Sequence, residues 1–592
     1  MNKKELYNKI LQLGGLTNEE KSELLGLLRK QKKYGLVWED KPEDVEERLR
    51  DELPVLIEDT EKAIISSDDD APNHILIEGD NLEALTALAY THEGKIDVIY
   101  IDPPYNTGNK DFIYNDSYVD YEDSFRHSKW LSFMNKRLRI AKQLLSDRGI
   151  IFISIDDTEE AQLKLLCDEI FGTQNNVGTI IWKKKTNGNN MGLIPPVHDY
   201  ILSFAKKIEC LTNKDFGLPL SEEYLQKTYK NPDNDPRGPW TTTDLSANHK
   251  GPYFPIKNPV TGDIHYPSQG RYWVFNEEEV LRRIKEGLII FGKSGNAKPV
   301  QKVFLRNREL KKLPVDSWWD KHGMNEDGTI ELLDIFGKSK VFVHPKPSIT
   351  IKKLLTLSSL ENSIILDFFA GSGTTLHATM QLNAEDGGHR KCILVTNNEN
   401  NICEEVTYER NKRVINGYTT SKGEEIAGLK KNTLRYYRTS FVGRSRSMKN
   451  MRQLMNLSTD MLCIKEDLYT EQTKFGEQQT YKSVFRYFDD GKKRMMIIYK
   501  EEAVPLLADL IQKTDYEGKM RVYVFSPSED PWEGEFEEVA DKVQLCALPQ
   551  AIYNAYRRIL PKKKDVALEQ ENNVTDKVTD GMLNFDEGED LQ

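Results

Sequence analysis

Residues 363–375, SIILDFFAGSGTT, decide the fold of this chain. An apolar run ends at Asp367, and a turn rich in small residues leads into a helical pattern. Gly371 and Gly373 allow the backbone to turn tightly and approach a ligand, while the two threonines suit the first turn of a helix. The order of strand, glycine turn and helix predicts one unit of an α/β fold, with a ligand at the carboxyl end of the strand.

The glycine turn alone leaves the ligand open, because dinucleotides and phosphates also bind such turns. The third glycine of the dinucleotide pattern is missing, with Leu376 after the two threonines. The chain also has no G-x-x-x-x-G-K-[ST] phosphate loop.

A strand–helix alternation upstream extends the same pattern. The predicted strands are 74–78, 97–101, 149–155, 177–183, 200–205, 363–367 and 392–396, and the predicted helices are 82–90, 125–147, 159–171 and 374–382. Continuous apolar strands that alternate with helices predict a mostly parallel sheet covered on both faces. The strands 177–183 and 200–205 are expected to form an antiparallel hairpin that closes this sheet.

The tetrapeptide Asp102-Pro103-Pro104-Tyr105 follows the strand 97–101. Two prolines fix φ, remove two backbone donors and push the preceding residues toward extended geometry. The resulting arch can present the Asp102 carboxylate and the Pro103 carbonyl as acceptors, with the Tyr105 ring beside them. Two acceptors and an aromatic plate suit an exocyclic amine on a planar base, because they can orient its lone pair toward an electrophile. An ordinary turn after a strand is the alternative interpretation of the tetrapeptide alone.

Changes of composition divide the chain into six regions. Residues 206–340 are dense in Pro, Gly and Trp and lose the alternation, so an insert is predicted to interrupt one α/β domain. Glu39 to Asp70 holds 14 acidic and 4 basic residues, which predicts a solvated connector that can include one helix. The predicted regions are an N-terminal helical and acidic region (1–70), a first core segment (71–207), the insert (208–340), a second core segment (341–421), a mixed C-terminal domain (422–564) and a disordered acidic tail (565–592).

The composition argues against several classes of protein. The sequence has no run of about 18 apolar residues, so no transmembrane helix is predicted. The first residues also lack the apolar segment of a secretion signal. The six cysteines form no CxxC pair and no Cys/His cluster, so no metal site and no disulfide framework is predicted, and a cytoplasmic location is expected. The net charge of −12 disfavours a general basic coat for nucleic acid but allows a local basic groove.

Some individual residues have both structural and functional interpretations. Residues 426–459 hold eight basic residues and no acidic one, which favours a strip that contacts phosphates; the alternative is a patch that pairs with acidic residues. Core packing is the preferred interpretation of Trp318 and Trp319, and structural roles are preferred for His198 and His344. The run 183–185 is as compatible with phosphate contact as with a solvated face.

The two motifs together resemble a known family. D-P-P-Y combined with D-x-F-x-G-x-G-T-T resembles the amino-methyltransferases of DNA, which use S-adenosylmethionine, and D-P-P-Y is associated there with N6 of adenine. The order, with the catalytic motif first, the cofactor loop later and an insert between them, resembles the β class, which implies a circularly permuted Rossmann-like core. Segments 77–85, 105–108, 343–347 and 396–399 further resemble the modification subunits of type III restriction–modification systems.

The resemblance, which covers residues 74–415, implies a role for each matching residue. Asp102 and Pro103 would accept the two N6 hydrogens within the arch completed by Pro104, and Tyr105 would stack on a flipped adenine. The implied cofactor residues are Asp80, Asn81, Lys346, Pro347, Asp367, Phe369, Ala370, Gly371, Gly373, Thr374, Asn397 and Glu399. Among them, Glu399 is the implied ribose ligand with Asn397 as alternate, and Lys346 and Pro347 would close over the methionine end.

The implied function is site-specific methylation of adenine N6 in duplex DNA, as the modification and specificity subunit of a type III system. The implied partners are double-stranded DNA read by the insert, a second copy of the chain, and a restriction helicase–endonuclease, with no membrane. A solitary β-class methyltransferase, N4-cytosine specificity and methylation of a protein amide or an RNA amine remain alternatives. A non-catalytic nucleic-acid-binding protein that retains the fold is an alternative of another class.

Overall fold

The computed structural model describes residues 36–560, except 116, 187–192, 213–214, 293–296, 308–311 and 529. The predicted N-terminal helices, the polar stretch that ends at residue 192 and the acidic tail from residue 565 lie outside the described residues. In the described part, no helix is long and apolar enough to cross a membrane.

The helices and strands account for most of this part of the chain. The α-helices are α1 Asp44–Asp51, α2 Asn81–His92, α3 Arg126–Leu144, α4 Glu160–Phe171, α5 Glu222–Thr228, α6 Glu277–Lys285, α7 Asn325–Phe336, α8 Ser348–Ser358, α9 Thr374–Asp386, α10 Glu409–Asn416, α11 Met448–Leu457, α12 Thr459–Glu466, α13 Val504–Lys513 and α14 Gln550–Tyr556. The strands up to the insert are β1 Glu52–Glu58, β2 Asn73–Glu78, β3 Ile96–Ile101, β4 Ile113–Tyr114, β5 Ser117–Tyr118, β6 Leu145–Ile155, β7 Asn176–Lys183 and β8 His198–Ala205. The strands that follow are β9 Trp240–Asp244, β10 Ser246–Ala247, β11 Ile256–Lys257, β12 Ile264–His265, β13 Tyr272–Trp273, β14 Ile289–Ile290, β15 Val300–Phe304, β16 Trp318–Trp319, β17 Ile364–Asp367, β18 Lys391–Thr396, β19 Gly417–Thr419, β20 Glu425–Ala427, β21 Thr433–Gly443, β22 Glu471–Gln472, β23 Lys474–Phe475, β24 Gln478–Gln479, β25 Phe485–Asp489, β26 Arg494–Ile498, β27 Met520–Phe525 and β28 Val543–Leu548.

A ten-stranded sheet organises the larger part of the molecule, in the order β1-β21-β2-β18-β17-β3-β6-β8-β7-β16. The six strands from β21 to β6 are mutually parallel. The consecutive residues 150–153 of β6 are all buried, which requires cover on both faces of the sheet. These features confirm the predicted α/β fold, and the antiparallel pairing of β6, β8 and β7 confirms the predicted hairpin.

The position of the candidate site follows from the strand order. The chain moves from β17 to β18 on one side of the sheet, and from β3 to β6 on the other side. The adjacent strands β17 and β3 are in parallel register, with Leu366 opposite Ile99. Ligands of open α/β sheets bind where the strand order reverses, at the carboxyl ends of the strands. The loops that begin at Asp102 and Asp367 both leave the sheet at this point.

The acidic segment 39–70 differs from its prediction as a solvated connector. Its apolar run Leu53–Ile57 forms most of β1, which pairs antiparallel with β21 at the edge of the sheet. Leu53, Val55 and Leu56 are buried, while the acidic residues flank the strand. The net charge of a segment thus concealed a short apolar strand, because charges at the ends of a strand do not prevent burial of its centre.

Two compact units divide the chain. Of the described residues, one unit contains those within 36–210, 317–355 and 359–560; the other contains those within 211–316 and 356–358. The smaller unit has the three-stranded sheet β14-β15-β9, two antiparallel two-stranded sheets and a small apolar core that includes Leu245, Trp273 and Val280. The predicted insert extended to residue 340, whereas residues 317–340 belong to the larger unit.

Residues 317–340 join the larger unit through β16 and α7. The strand β16 pairs with β7, so its adjacent tryptophans point in opposite directions. Trp319 is fully buried and Trp318 is exposed. Core packing therefore applies to one of the two tryptophans.

The C-terminal region of the larger unit contains a separate five-stranded sheet, β22-β25-β26-β27-β28. An apolar cluster that includes Met496, Val522 and Ile511 of α13 covers it. The region is therefore an ordered mixed α/β structure up to residue 560.

Candidate active site

The proline arch lies directly beyond β3. The indole Nε1 of Trp130 on α3 donates a hydrogen bond of 2.7 Å to the carbonyl oxygen of Pro104 and so fixes the far side of the arch. Among the described residues, none donates a hydrogen bond to the carbonyl oxygen of Pro103. The Pro103 carbonyl therefore keeps its capacity to accept a hydrogen bond from a ligand.

The acceptors of the arch hold an internal amine. The Nζ of Lys346 donates to Oδ1 and Oδ2 of Asp102, each at 2.7 Å, and to the hydroxyl oxygen of Tyr105 at 3.0 Å. The Tyr105 hydroxyl in turn donates to Oδ1 of Asp102 at 2.9 Å. The Lys346 side chain is only 9% exposed, so its charge depends on this carboxylate. The structure places the Lys346 ammonium at the catalytic motif, and its predicted contact with the cofactor stays a prediction.

A second carboxylate lies close to this ion pair. Asp199 on β8 is buried, and Nζ of Lys184 is 2.5 Å from its Oδ1. Burial raises the pKa of Asp199, although the positive charges of Lys346 and Lys184 oppose the rise. Nothing in the sequence singled out Asp199. The sequence feature that could have indicated its burial is an acidic residue directly before the apolar strand 200–205.

The glycine loop begins with a buried acid. Thr375 Oγ1 donates to Oδ2 of Asp367 at 2.6 Å, and the backbone N–H of Phe369 donates to Oδ1 at 3.0 Å. Burial raises the pKa of Asp367 to about 7, against the effect of these hydrogen bonds. Asp367 therefore ties the end of β17 to the first turn of α9, and its hydrogen bonds lie within the protein.

The two glycines of the loop have left-handed backbone conformations. Gly371 has φ +50° and Gly373 has φ +74°. A Cβ on Gly373 would lie 2.4 Å from the side-chain nitrogen of Asn411, and one on Gly371 would lie 3.1 Å from the ring of Phe342. Both positions thus favour glycine for conformation, and Gly373 does so for space as well.

A buried cluster that sequence reasoning missed supports this loop. Thr407 Oγ1 donates to the Gly371 carbonyl at 2.6 Å, and Asn411 donates to the Gly373 carbonyl at 3.3 Å. The fully buried Arg410 donates to Thr374 Oγ1 at 2.8 Å and pairs with Glu331 at 2.9 Å. The sequence carries no signal for these roles, because the π-helical turn 402–408 and α10 meet the loop only in the folded chain.

The other predicted cofactor residues of the second core segment surround the same loop. Thr374 Oγ1 donates to the Lys346 carbonyl at 3.2 Å, which links the glycine loop to the segment that carries the ammonium. Pro347 precedes α8, and the backbone N–H of Ala370 donates to the Val395 carbonyl at 3.1 Å. The ring centroid of Phe369 is 5.8 Å from that of Phe133. The contact of Thr374 with Lys346 brings the predicted segment 346–347 next to the glycine loop.

Asp80 and Asn81 lie at the start of α2 and bind protein atoms. Asp80 caps the helix by accepting from the backbone N–H of Leu82 at 2.7 Å. Asn81 Nδ2 donates to the Phe368 carbonyl at 3.1 Å, and its Oδ1 accepts from Nε of Arg137 at 2.5 Å. The structure gives both residues positioning contacts, and a contact with a cofactor remains a prediction.

The predicted ribose residues follow β18. Asn397 and Glu399 are both exposed, beyond the last buried residue of the strand. Between them, the side chain of Asn398 accepts from the backbone N–H groups of Cys403 and Glu404 at 3.1 and 3.2 Å. Asn398 therefore shapes the turn, while the side chains on either side of it face solvent.

The two singled-out histidines have no catalytic contacts. His344 is exposed, and the ring of His198 contacts that of Tyr200 edge-on at 5.0 Å. Among residues 183–185, Lys184 forms the ion pair with Asp199, which makes it a structural residue.

Four of the eight basic residues of 426–459 form ion pairs with acidic residues of the described chain. Arg435 pairs with Glu58 at 2.8 Å, and Arg438 contacts three acids, Asp59, Glu78 and Glu404, at 2.8–3.0 Å. The remaining contacts are Lys431 with Asp68, Arg452 with Glu501, Arg444 with backbone carbonyls of α1, and Arg446 with the ring of Tyr553. The structure favours the alternative of pairing within the chain over a phosphate strip, because β21 lies between the acidic edge strand β1 and β2.

Replacing Arg438 with alanine should therefore weaken folding and leave the salt dependence of DNA binding unchanged. Three carboxylates lose a shared partner, which should cost about 1–2 kcal/mol because the arginine is half-exposed and screened. A phosphate contact, in contrast, contributes about 0.9 to the slope of log affinity against log salt. Denaturant unfolding and a salt titration of duplex binding measure the two effects. Lys449→Ala is the control, because Lys449 is an exposed cation of the same stretch. A reduced slope for Arg438→Ala would support the hypothesis that residues 426–459 contact phosphates.

Comparison with known proteins adds independent findings. Residues 96–420 match the sequence model of a family described as DNA methylase (N6_N4_Mtase). The type III restriction-modification enzyme StyLTI Mod subunit of Salmonella typhimurium is 37% identical over 371 residues, which are 58% of this chain and 55% of that subunit. The type II methyltransferase M.KpnI of Klebsiella pneumoniae is 34% identical over 382 residues, which are 58% of this chain and 85% of that enzyme.

The matched lengths differ between these relatives. The chain spans little more than half the length of the StyLTI subunit and most of M.KpnI. The solved structure of TTHA0409 from Thermus thermophilus, complexed with S-adenosyl-L-methionine, aligns with a TM-score of 0.29 and 17% identity over 57% of this chain and 94% of that one.

Proposed function

The chain belongs to the DNA methylase family, and on that premise we propose that it transfers a methyl group from S-adenosylmethionine to an exocyclic amine of duplex DNA. The observation that carries the proposal is the acceptor set of Asp102 and Tyr105. These oxygens surround one amine nitrogen, that of Lys346, at 2.7–3.0 Å. Acceptors that hold one amine in this way suit the amino group of a base.

The residues of the glycine loop fit the cofactor. Gly371 and Gly373 provide a close backbone approach at the carboxyl end of β17, one strand away from the arch. When bound, S-adenosylmethionine supplies an electrophilic methyl group on a sulfonium ion. The loop would hold it beside the acceptors, with Asp367 and the Arg410 cluster keeping the loop in shape and the exposed Asn397 and Glu399 available to the ribose.

The chain's own residues would orient the amine. Asp102 and the Pro103 carbonyl would accept hydrogen bonds from the two N–H groups of the amine. These bonds would direct the nitrogen lone pair out of conjugation with the base ring. They would lower the barrier to methyl transfer through positioning and charge. The target base must leave the stack to reach this arch, and the Tyr105 ring would contact its face. Lys346 must give up its place at Asp102 for the base, and the carboxylate of Asp199 lies close enough to influence the ammonium.

The preferred target is N6 of adenine, because Asp rather than Ser precedes Pro-Pro-Tyr. Similarity to the StyLTI Mod subunit supports a role as the modification and specificity subunit of a type III system, while similarity to M.KpnI supports the alternative of a methyltransferase outside such a system. In the first case, a second copy of the chain and a restriction helicase–endonuclease would be partners. The smaller unit, residues 211–316, would read the bases of the target site.

A non-catalytic nucleic-acid-binding protein is the second class of function. The intact arch, its anchoring by Trp130 and the glycine conformations speak for catalysis, since binding alone requires none of them.

The test is transfer of labelled methyl groups from S-adenosylmethionine to duplex DNA, followed by nuclease digestion and identification of the modified nucleoside. N6-methyladenine is the expected product, and N4-methylcytosine would change the assigned target. Labelled RNA or protein without labelled DNA would contradict the proposed substrate. The absence of any transfer, with cofactor binding intact, would favour the non-catalytic class.

A further inference from the structure

A buried acid lies directly behind the proline arch. Asn106 follows Tyr105, has φ 61° and is completely buried. Its Nδ2 donates to Oε1 of Glu159 at 2.6 Å, and Glu159 is completely buried as well. The conformation of the residue that ends the arch thus depends on a carboxyl group that has no access to solvent.

The second oxygen of each group has no partner. Oδ1 of Asn106 and Oε2 of Glu159 are buried and accept no hydrogen bond from the described residues. If Glu159 were ionised, Asn106 Oδ1 and Glu159 Oε2 could both only accept hydrogen bonds. The pair would then leave two buried acceptors without a donor. Buried unsatisfied acceptors are rare in folded proteins and costly. One proton on Oε2 would supply the missing donor.

The neighbouring His127 agrees with this proton assignment. Nε of Arg126 donates to Nε2 of His127 at 3.3 Å, so Nε2 acts as an acceptor and the imidazole is neutral. The proton of His127 then lies on Nδ1, which donates to Oε1 of Glu159 at 2.6 Å. Oε1 therefore receives two donors, and Oε2 is the oxygen left to carry a proton.

We propose that Glu159 is a neutral carboxylic acid that positions the catalytic arch through a reciprocal pair with Asn106. The amide N–H donates to Oε1, and the acid O–H donates to Oδ1. Glu159 contacts neither the arch oxygens nor the cofactor loop, so it is a positioning residue that acts through Asn106. Its effect on methyl transfer rests on the proposed function.

The charges around Glu159 set its response to pH. Arg126 on α3 favours the ionised form and Asp156 after β6 opposes it, while the neutral His127 adds a donor. Burial raises the pKa of Glu159 to about 8, against the effects of the Asn106 hydrogen bond and of Arg126. Ionisation would remove the donor to Oδ1 and place a carboxylate against it, which should release Asn106 and loosen the arch.

The consequence for activity is a loss above pH 8. With a pKa of about 8, the neutral fraction falls about tenfold between pH 7 and pH 9, and the turnover of the wild type should fall with it. Glu159→Gln replaces the acid by an isosteric amide, whose carbonyl accepts from Asn106 and whose NH₂ donates to Oδ1. This variant should keep near-wild-type turnover at pH 7 and lose the decline above pH 8. Glu159→Leu, which can do neither, should lose turnover at every pH.

The same proton should also affect the pH dependence of folding stability, independently of catalysis. The folded state keeps a proton that the unfolded chain loses near pH 4.5, so the wild type should lose stability relative to Glu159→Gln between about pH 4.5 and 8. Above about pH 8 the difference should stay constant. Calorimetric melting of both full-length proteins from pH 5 to pH 9.5 measures this.

The outcomes separate the two proposals. Parallel melting temperatures of the two proteins at all pH values, or failure of Glu159→Gln to fold, would overturn the neutral acid. A shifting melting difference in a protein that methylates no DNA would support the acid pair and reject the proposed function. A shifting difference with an unchanged turnover decline in Glu159→Gln would show that Glu159 does not position the arch.

Discussion

Replacing Asp102 with alanine should lower the rate of methyl transfer to duplex DNA by about a thousandfold. The carboxylate is the charged member of the acceptor set, and it acts on the amine as positive charge develops on nitrogen. Loss of one preorganised group at a site of developing charge typically costs about 10²–10³ in rate. Affinity for S-adenosylmethionine should change little, because the glycine loop is held by other residues.

The Lys346 ion pair complicates this variant. Without Asp102, a lysine side chain that is only 9% exposed loses its carboxylate, and stability should fall by about 1–3 kcal/mol, between the values for exposed and buried pairs. The double variant Asp102→Ala/Lys346→Met removes both charges. It should regain most of the lost stability and remain inactive, which separates the chemistry from the folding effect.

Single-turnover transfer of labelled methyl groups, calorimetric cofactor binding and denaturant unfolding measure the three quantities. Asp97→Ala is the matched control: Asp97 lies on the same strand at its other end, where it accepts from Ser146 and the backbone of Ile364. It should lose stability and keep its rate of transfer. A rate within tenfold of wild type for Asp102→Ala would reject the role of the arch.

Sequence patterns were reliable where a residue's role depends on its own segment. The strands β3 and β17 are continuous apolar runs, and their parallel pairing follows from the helices between strands. The position of both loops at the carboxyl edge of the sheet follows from this pattern, whereas the adjacency of β3 and β17 is seen only in the folded chain.

The same patterns failed where a role depends on partners distant in sequence. The basic residues of β21 were expected to contact phosphates, and their acidic partners on β1 were hidden in a segment interpreted as a connector. The contact of Lys346 with Asp102, 244 positions away, could not be predicted, because only the folded chain brings the two together. Glu159 carried no signal, since it stands in the acidic run 156–160 at the start of a helix, where acidic residues are common.

Replacing Gly371 with valine should lower the affinity for S-adenosylmethionine by about a hundredfold or more, equivalent to about 2.8 kcal/mol. The φ of +50° is strained for a branched residue, and the new side chain would begin 3.1 Å from the ring of Phe342. The loop must therefore change its course, and the Gly371 carbonyl loses its fixed position at Thr407 Oγ1. Because the cofactor is proposed to bind against this backbone, its site changes shape.

The matched control is Gly387→Val at the other end of α9. Gly387 has φ +74°, and a Cβ there meets no atom within 4 Å, so the backbone strain is shared but the crowding and the proposed cofactor site are absent. Both variants should lose about 1–2 kcal/mol of folding stability from the left-handed conformation. Calorimetric titration should show weakened cofactor binding for Gly371→Val and wild-type binding for Gly387→Val. Equal cofactor affinity in the two variants would place the cofactor away from this loop. Backbone strain is common to both variants, so it cannot account for a difference in cofactor affinity between them.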